Sequence, residues 1–179
     1  MPLHGLRETG GDVGGGYSQR HDQEEPHHEG ETRGEERGKR IMTRTLVFLC
    51  PHNAAKSVLA AAYCQHLAAQ CGLQVQVTSA GTEPDAAASP DVVTLLRGEG
   101  LDVTHHRPRH VTREELGAAF RIISLGCDVS DLAPPGTRVE HWDDVPAPSQ
   151  HLAQARNVIY AHVECLIAEL TRGAGPGAA

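Results

Sequence analysis

A cysteine followed six residues later by a cation and then by a hydroxyl carries most of the chemistry this chain can offer. The segment reads Cys50-Pro51-His52-Asn53-Ala54-Ala55-Lys56-Ser57. A thiolate at Cys50 would be a nucleophile toward phosphorus or arsenic at neutral pH. Small Ala54 and Ala55 let the backbone bend closely around a tetrahedral oxyanion, and Lys56 adds positive charge. Ser57 is placed to donate a hydrogen bond to the thiolate. We therefore expect Cys50 and Lys56 to be catalytic, and His52, Asn53, Ala54, Ala55, Lys56 and Ser57 to form an anion-binding loop. The bland alternative is a buried structural thiol at a strand end, a common place for free cysteine.

The elements around the segment support the first reading. Residues 45–49, Thr-Leu-Val-Phe-Leu, form a short apolar run, as expected of a strand buried on both faces of a parallel sheet. Pro51 and Asn53 break that run. Beyond them Val58, Leu59, Ala62, Tyr63 and Leu67 recur at helical spacing, so the loop opens into a helix N-terminus, where backbone N–H groups and the helix dipole favour anions. Gly72 ends the helix and residues 75–79 alternate as a second strand. Ser89-Pro90-Asp91 starts a helix that Gly98 and Gly100 close, and Thr112 with Glu115 has capping-box spacing for a short helix ending near Ala119. Residues 120–125 and 138–142 read as the third and fourth strands, and residues 150–170 as a long amphipathic helix. Strands alternating with helices at these lengths predict an α/β domain: a central four-stranded parallel sheet with helices on both faces. In such sheets ligands gather beyond the carboxyl ends of the strands, where Cys50 stands.

Composition narrows the field. A chain of 179 residues suits one domain. Its formal charge of −7 argues against a nucleic-acid partner, which needs clustered Lys and Arg, whereas a small anion needs only a local positive site. Residues 1–41 are rich in Gly, Glu, Arg and His and lack apolar periodicity, so we expect a disordered tail before a domain over residues 42–175. Met42, immediately before the first strand, is a candidate for the natural start. No apolar run reaches about 18 residues and nothing resembles a signal peptide, so a cytoplasmic protein without a membrane partner is expected. The five cysteines, Cys50, Cys64, Cys71, Cys127 and Cys165, lack Cys-x-x-Cys spacing, which favours reduced thiols over a disulfide framework or zinc ribbon. Cys64, Cys71 and Cys165 read as packing residues. Of twelve histidines, His21, His27 and His28 lie in the tail and none forms a His-Glu-x-x-His helix, so no metal is expected. Chemistry at a cysteine needs no organic cofactor.

Several segments together resemble the low-molecular-weight protein tyrosine phosphatase family, which includes thioredoxin-type arsenate reductases. Val47-Phe48-Leu49-Cys50, with Asn53 and a cation-Ser pair, resembles its nucleophile loop; Ser79-Ala80-Gly81-Thr82 resembles the segment after its second strand. Asp102 to Arg109 resembles its Ser-His-x-Pro-Arg stretch. Ser124-Leu125-Gly126-Cys127 is similar to the Thr-Met-Gly-Cys strand end of the reductase branch, and Glu140-His141-Trp142-Asp143 to the approach to the acid loop. The resemblance spans residues 45–170. It implies a thiolate nucleophile at Cys50, a loop shaped by Asn53, a thiolate stabilised by Ser57, and a later Asp as general acid.

Three departures set the alternatives. Lys56 stands where the family has Arg, replacing a planar two-oxygen grip by a flexible point charge. The family's acid directly precedes Pro, whereas this chain reads Trp142-Asp143-Asp144-Val145-Pro146, leaving Asp144 as the preferred acid and Asp143 as the second choice. Cys127 occupies the first relay position of the reductase branch and is a possible redox residue, yet no second relay cysteine follows it, so any resolving thiol would be external. The implied functions are a cysteine-dependent phosphomonoesterase of the protein tyrosine phosphatase type, working through a cysteinyl-phosphate; an arsenate reductase drawing on thioredoxin, glutathione or mycothiol; or a non-catalytic oxyanion-binding regulator. Their ligands are a phosphate ester or arsenate.

Overall fold

The computed structural model describes residues 44–173. The expectations for residues 1–41 and for Met42 as a start lie outside those residues. Four strands form one sheet in the order β2-β1-β3-β4: β1 over Arg44–Cys50, β2 over Val75–Gly81, β3 over Arg121–Ser124 and β4 over Val139–His141. All neighbouring pairs are parallel. The expected four-stranded parallel α/β sheet is therefore present, with α1 over Lys56–Gln70, α2 over Pro90–Gly98, α3 over Arg113–Ala118 and α4 over Pro148–Gly173.

Strand β1 is central, and its side chains alternate between two cores as the two-residue period of a strand requires. Leu46, Phe48 and Cys50 point into the larger core with Leu59, Tyr63, Val92, Ile159 and Val163 of α1, α2 and α4. Val47 and Leu49 point into the smaller one with Leu116 of α3 and Ile122 of β3. Burial on both faces is why β1 reads as a continuous apolar run, and it fixes its register: a slip by one residue would exchange the two faces. Cys50 thus closes a strand anchored on both sides.

Two expectations change at the level of single residues. Phe120, read as the first residue of the third strand, precedes β3 and is 49% exposed. Its N–H still donates to Thr45 O at 2.9 Å, and its ring lies under the Arg44 guanidinium, 4.7 Å from ring centroid to Cζ. Cys71 and Cys165, expected to pack, are exposed. Cys71 follows the last turn of α1, and Cys165 lies on α4 beside buried Leu166 but on its outward side. Only Cys64 of the three is buried, and burial pushes its thiol pKa up to about 12.

Candidate active site

The loop between β1 and α1 is held from below by buried polar side chains. Asn53 is fully buried and takes a positive φ of 47°, a conformation that Asn tolerates better than most residues. Its Nδ2 donates to Ser57 Oγ at 3.0 Å and to Ser79 Oγ at 3.1 Å, while its Oδ1 accepts the backbone N–H of Arg109 at 3.1 Å. His106 Nε2 lies 3.0 Å from the Asn53 carbonyl, which can only accept, so this ring nitrogen carries the proton. Every polar atom of the Asn53 amide is engaged, and the turn is pinned to β2 and to the segment before α3.

The loop carbonyls are drawn outward. Pro51 O accepts from Glu83 N at 2.8 Å, His52 O from Asp85 N at 2.9 Å and Ala54 O from Ser89 N at 2.9 Å. The N–H groups of His52, Asn53, Ala54 and Ala55 donate to no acceptor among the described residues. Ala55 caps α1 without a side-chain hydrogen bond, and no acid occupies the first turn. A run of free amides ending on an uncapped helix N-terminus is what a phosphate-sized oxyanion requires. Gly81 allows the loop to sit there. A Cβ at that position would lie 2.5 Å from Pro51 O and 3.0 Å from both Asn53 N and Cys50 O.

Cys50 is buried, with its Sγ 3.0 Å from Ser57 Oγ. Ser57 receives the Asn53 amide, so its own hydrogen is free to point at sulfur. Cys50 lines a cleft of about 520 Å³ together with His52, Lys56, Asp85, Asp91 and Gly126. The Lys56 Nζ donates to Val145 O at 2.7 Å. Gly126 takes φ 88°, in the left-handed region that favours glycine, and a Cβ there would stand 3.7 Å from Nζ, an ordinary contact distance.

Cys50, His52, Ala54, Ala55 and Lys56 are thus brought together at one cleft, with Asn53 and Ser57 directly behind them. Asp144 is not among the cleft-lining residues. Its carboxylate pairs with His162 on α4 at 2.8 Å, and that ring stacks on Trp142 at 4.7 Å between centroids. The segment before α4 offers the cleft Ala147, Pro148 and Ser149 instead. Cys127 is half-buried just beyond β3, its N–H donating to Ser124 Oγ at 3.2 Å. Burial holds its thiol pKa above the ordinary cysteine range; the Ser124 hydrogen bond opposes this, and the nearby Cys50 charge adds to it.

Sequence reasoning missed Ser79, Gly81, Asp85 and Arg109 as parts of this assembly. Ser79, Gly81 and Arg109 did stand in segments that carried the family resemblance. Asp85 had no signal, since its link to His52 spans a loop.

Comparison with known proteins agrees with the geometry. The model of the low molecular weight phosphotyrosine protein phosphatase family matches residues 45–170, and the chain belongs to that family. An arsenate reductase of Bacillus licheniformis is 28% identical over 131 residues, covering 70% of this chain and 91% of that protein. The solved thioredoxin-dependent arsenate reductase of Corynebacterium glutamicum superposes with a TM-score of 0.63 at 26% identity, over 73% of this chain. This chain spans only 63% of that one. A low molecular weight phosphotyrosine phosphatase of Vibrio cholerae O395 gives a TM-score of 0.67 at 17% identity over 74% of this chain and 99% of its own, a likeness of fold alone.

Proposed function

We propose that the protein is a cysteine-dependent phosphomonoesterase that works through a cysteinyl-phosphate. The observation that carries the reading is the 3.0 Å approach of Cys50 Sγ to Ser57 Oγ beneath a loop whose amides from His52 to Ala55 have no acceptor among the described residues. In the first step the Cys50 thiolate attacks phosphorus, the phosphoryl oxygens settle among the loop amides, and the alcohol leaves with a proton. Water then attacks the cysteinyl-phosphate, releasing inorganic phosphate and restoring the thiolate. Lys56 supplies positive charge at the rim. One of its three N–H donors is used by Val145 O, which leaves two for the substrate. Asp144 can act as the family's general acid only if its carboxylate leaves His162.

The test is to mix the full chain with an aryl phosphate, quench in acid and search the peptide containing Cys50 for added phosphate by mass spectrometry. A phosphorylated Cys50 peptide supports the reading; a phosphate adduct on another residue contradicts it.

A second reading, arsenate reduction at the same thiolate, is favoured by the names of the Bacillus and Corynebacterium relatives and by the nearness of Cys127 to Cys50. Here arsenate adds to Cys50 and an external thiol of the thioredoxin, glutathione or mycothiol kind takes over the adduct. The lack of any cysteine between Cys127 and Cys165 and the raised pKa of the Cys127 thiol weigh against an internal relay. Thiol-dependent formation of arsenite from arsenate would decide for it.

A further inference from the structure

We propose that the proton for the leaving group comes from His52, held in place by Asp85. The inference rests on the phosphatase reading and deepens it. Hydrolysis of an unactivated ester needs an acid at the leaving oxygen. The two carboxylates of the segment before α4 do not line the cleft, and Asp144 is occupied by His162. On the other wall His52 is part of the loop itself, two residues from Cys50, and it lines the cleft.

Asp85 fixes that ring through two contacts. Its N–H donates to His52 O at 2.9 Å, and its Oδ1 lies 3.3 Å from His52 Nδ1. A carboxylate 3.3 Å from Nδ1 favours a hydrogen on that nitrogen, which leaves Nε2 as the nitrogen that gives or takes a proton. Both side chains are more than half exposed, so the ring lies at the surface rather than in the core. The neighbouring straps from Glu83 N to Pro51 O and from Ser89 N to Ala54 O hold the same segment against the loop, so Asp85 is delivered to His52 by backbone rather than by a flexible side chain alone. The other titratable groups lining the cleft are Lys56, Asp91 and Cys50 itself.

The cycle balances. In the first step the S–P bond forms and the P–O bond to the alcohol breaks, while the proton on His52 Nε2 passes to the departing oxygen. In the second, neutral His52 takes a proton from the attacking water, the new P–O bond forms and the S–P bond breaks. The products are phosphate, a Cys50 thiolate and His52 protonated again. His52 is the catalytic residue and Asp85 a positioning residue.

The experiment compares kcat/KM of the full chain for phenyl phosphate, whose leaving group needs a proton, and for 2,4-dinitrophenyl phosphate, whose leaving group does not. His52→Gln is expected to raise the ratio of dinitrophenyl to phenyl phosphate kcat/KM about a hundredfold. Asp85→Asn should raise it about tenfold, a change in leaving-group selectivity that a purely structural role for Asp85 would not produce. An unchanged ratio in His52→Gln overturns the inference, as does the selective loss appearing in Asp144→Asn or Asp91→Asn instead. Turnover of the dinitrophenyl ester that disappears in Cys50→Ser upholds the phosphatase reading independently of either result; if that ester is not turned over, the reading and this inference fall together.

Discussion

The ammonium of Lys56 donates to the carbonyl of Val145 at 2.7 Å, joining the start of α1 to the segment that precedes α4. A residue expected to be catalytic and to hold an anion therefore also ties α1 to the segment before α4. Lys56→Met removes both roles at once. We expect kcat/KM for aryl phosphates to fall about a hundredfold, the usual cost of deleting one charged group aimed at a transition state. Backbone amides near Val145 should also exchange hydrogen faster, as measured by mass spectrometry. Loss of activity without faster exchange would mean that the tether is unimportant.

Gly81 has no chemistry, yet its missing side chain sets the position of the loop. In Gly81→Ala the new methyl, 2.5 Å from Pro51 O, forces the loop away from β2. A displacement of about an ångström at reacting groups can cost about a hundredfold in rate. We expect activity to drop by that order while circular dichroism shows the secondary structure retained.

Asn53 is the polar keystone of the turn. Asn53→Ala strands the hydrogen-bonding groups of Ser57, Ser79 and Arg109 and keeps a residue with a Cβ at φ 47°. The expected loss is about 2 to 4 kcal/mol in urea denaturation, from buried groups left unpaired and from backbone strain.

The thiols should differ sharply toward iodoacetamide at neutral pH. Exposed Cys71 and Cys165 react at ordinary rates, Cys50 reacts and is protected by added phosphate, and Cys64 stays unmodified until the chain is unfolded. Peptide mapping checks each site. Reaction of Cys64 in the native protein would contradict the packing of α1 against the sheet.

The carboxylate of Glu115 links the short helix α3 to the loop support. It accepts from Arg109 Nη1 at 2.8 Å and from Thr112 N at 3.1 Å, and the Arg109 hydrogen bond, more than any other cause, holds its pKa below the ordinary glutamate value. A pKa lowered on folding stabilises the protein above the unfolded value, and that contribution is lost as pH falls through the folded one. Thr112→Ala should cost about 1 kcal/mol at neutral pH through loss of the helix cap. Glu115→Gln should destabilise at neutral pH and converge on the parent chain in acid, seen in denaturation series at several pH values.

What the sequence made legible was local. The apolar run of β1, its break at Pro51, the helical spacing after Lys56 and the capping box at Thr112 each depend on near neighbours, and each appears where expected. Phe120 and Leu125 misled because hydrophobicity alone extended β3 by one residue at each end, and Phe120 is exposed. The candidate site was legible where it follows the chain, from Cys50 to Ser57, and not where it depends on distant partners. Lys56 meets Val145, His52 meets Asp85 and Asn53 meets Arg109 only after β1, β2 and β3 have been laid side by side. The acid was the hardest to place, because two adjacent aspartates and a proline say nothing about which way a carboxylate turns; in the fold Asp144 turns to His162.

The most direct test of a catalytic Cys50 is hydrolysis of para-nitrophenyl phosphate by the full chain beside Cys50→Ser. We predict steady turnover that the substitution abolishes while the chain stays folded. Turnover that survives in Cys50→Ser, or a parent chain that releases no nitrophenol, would contradict it.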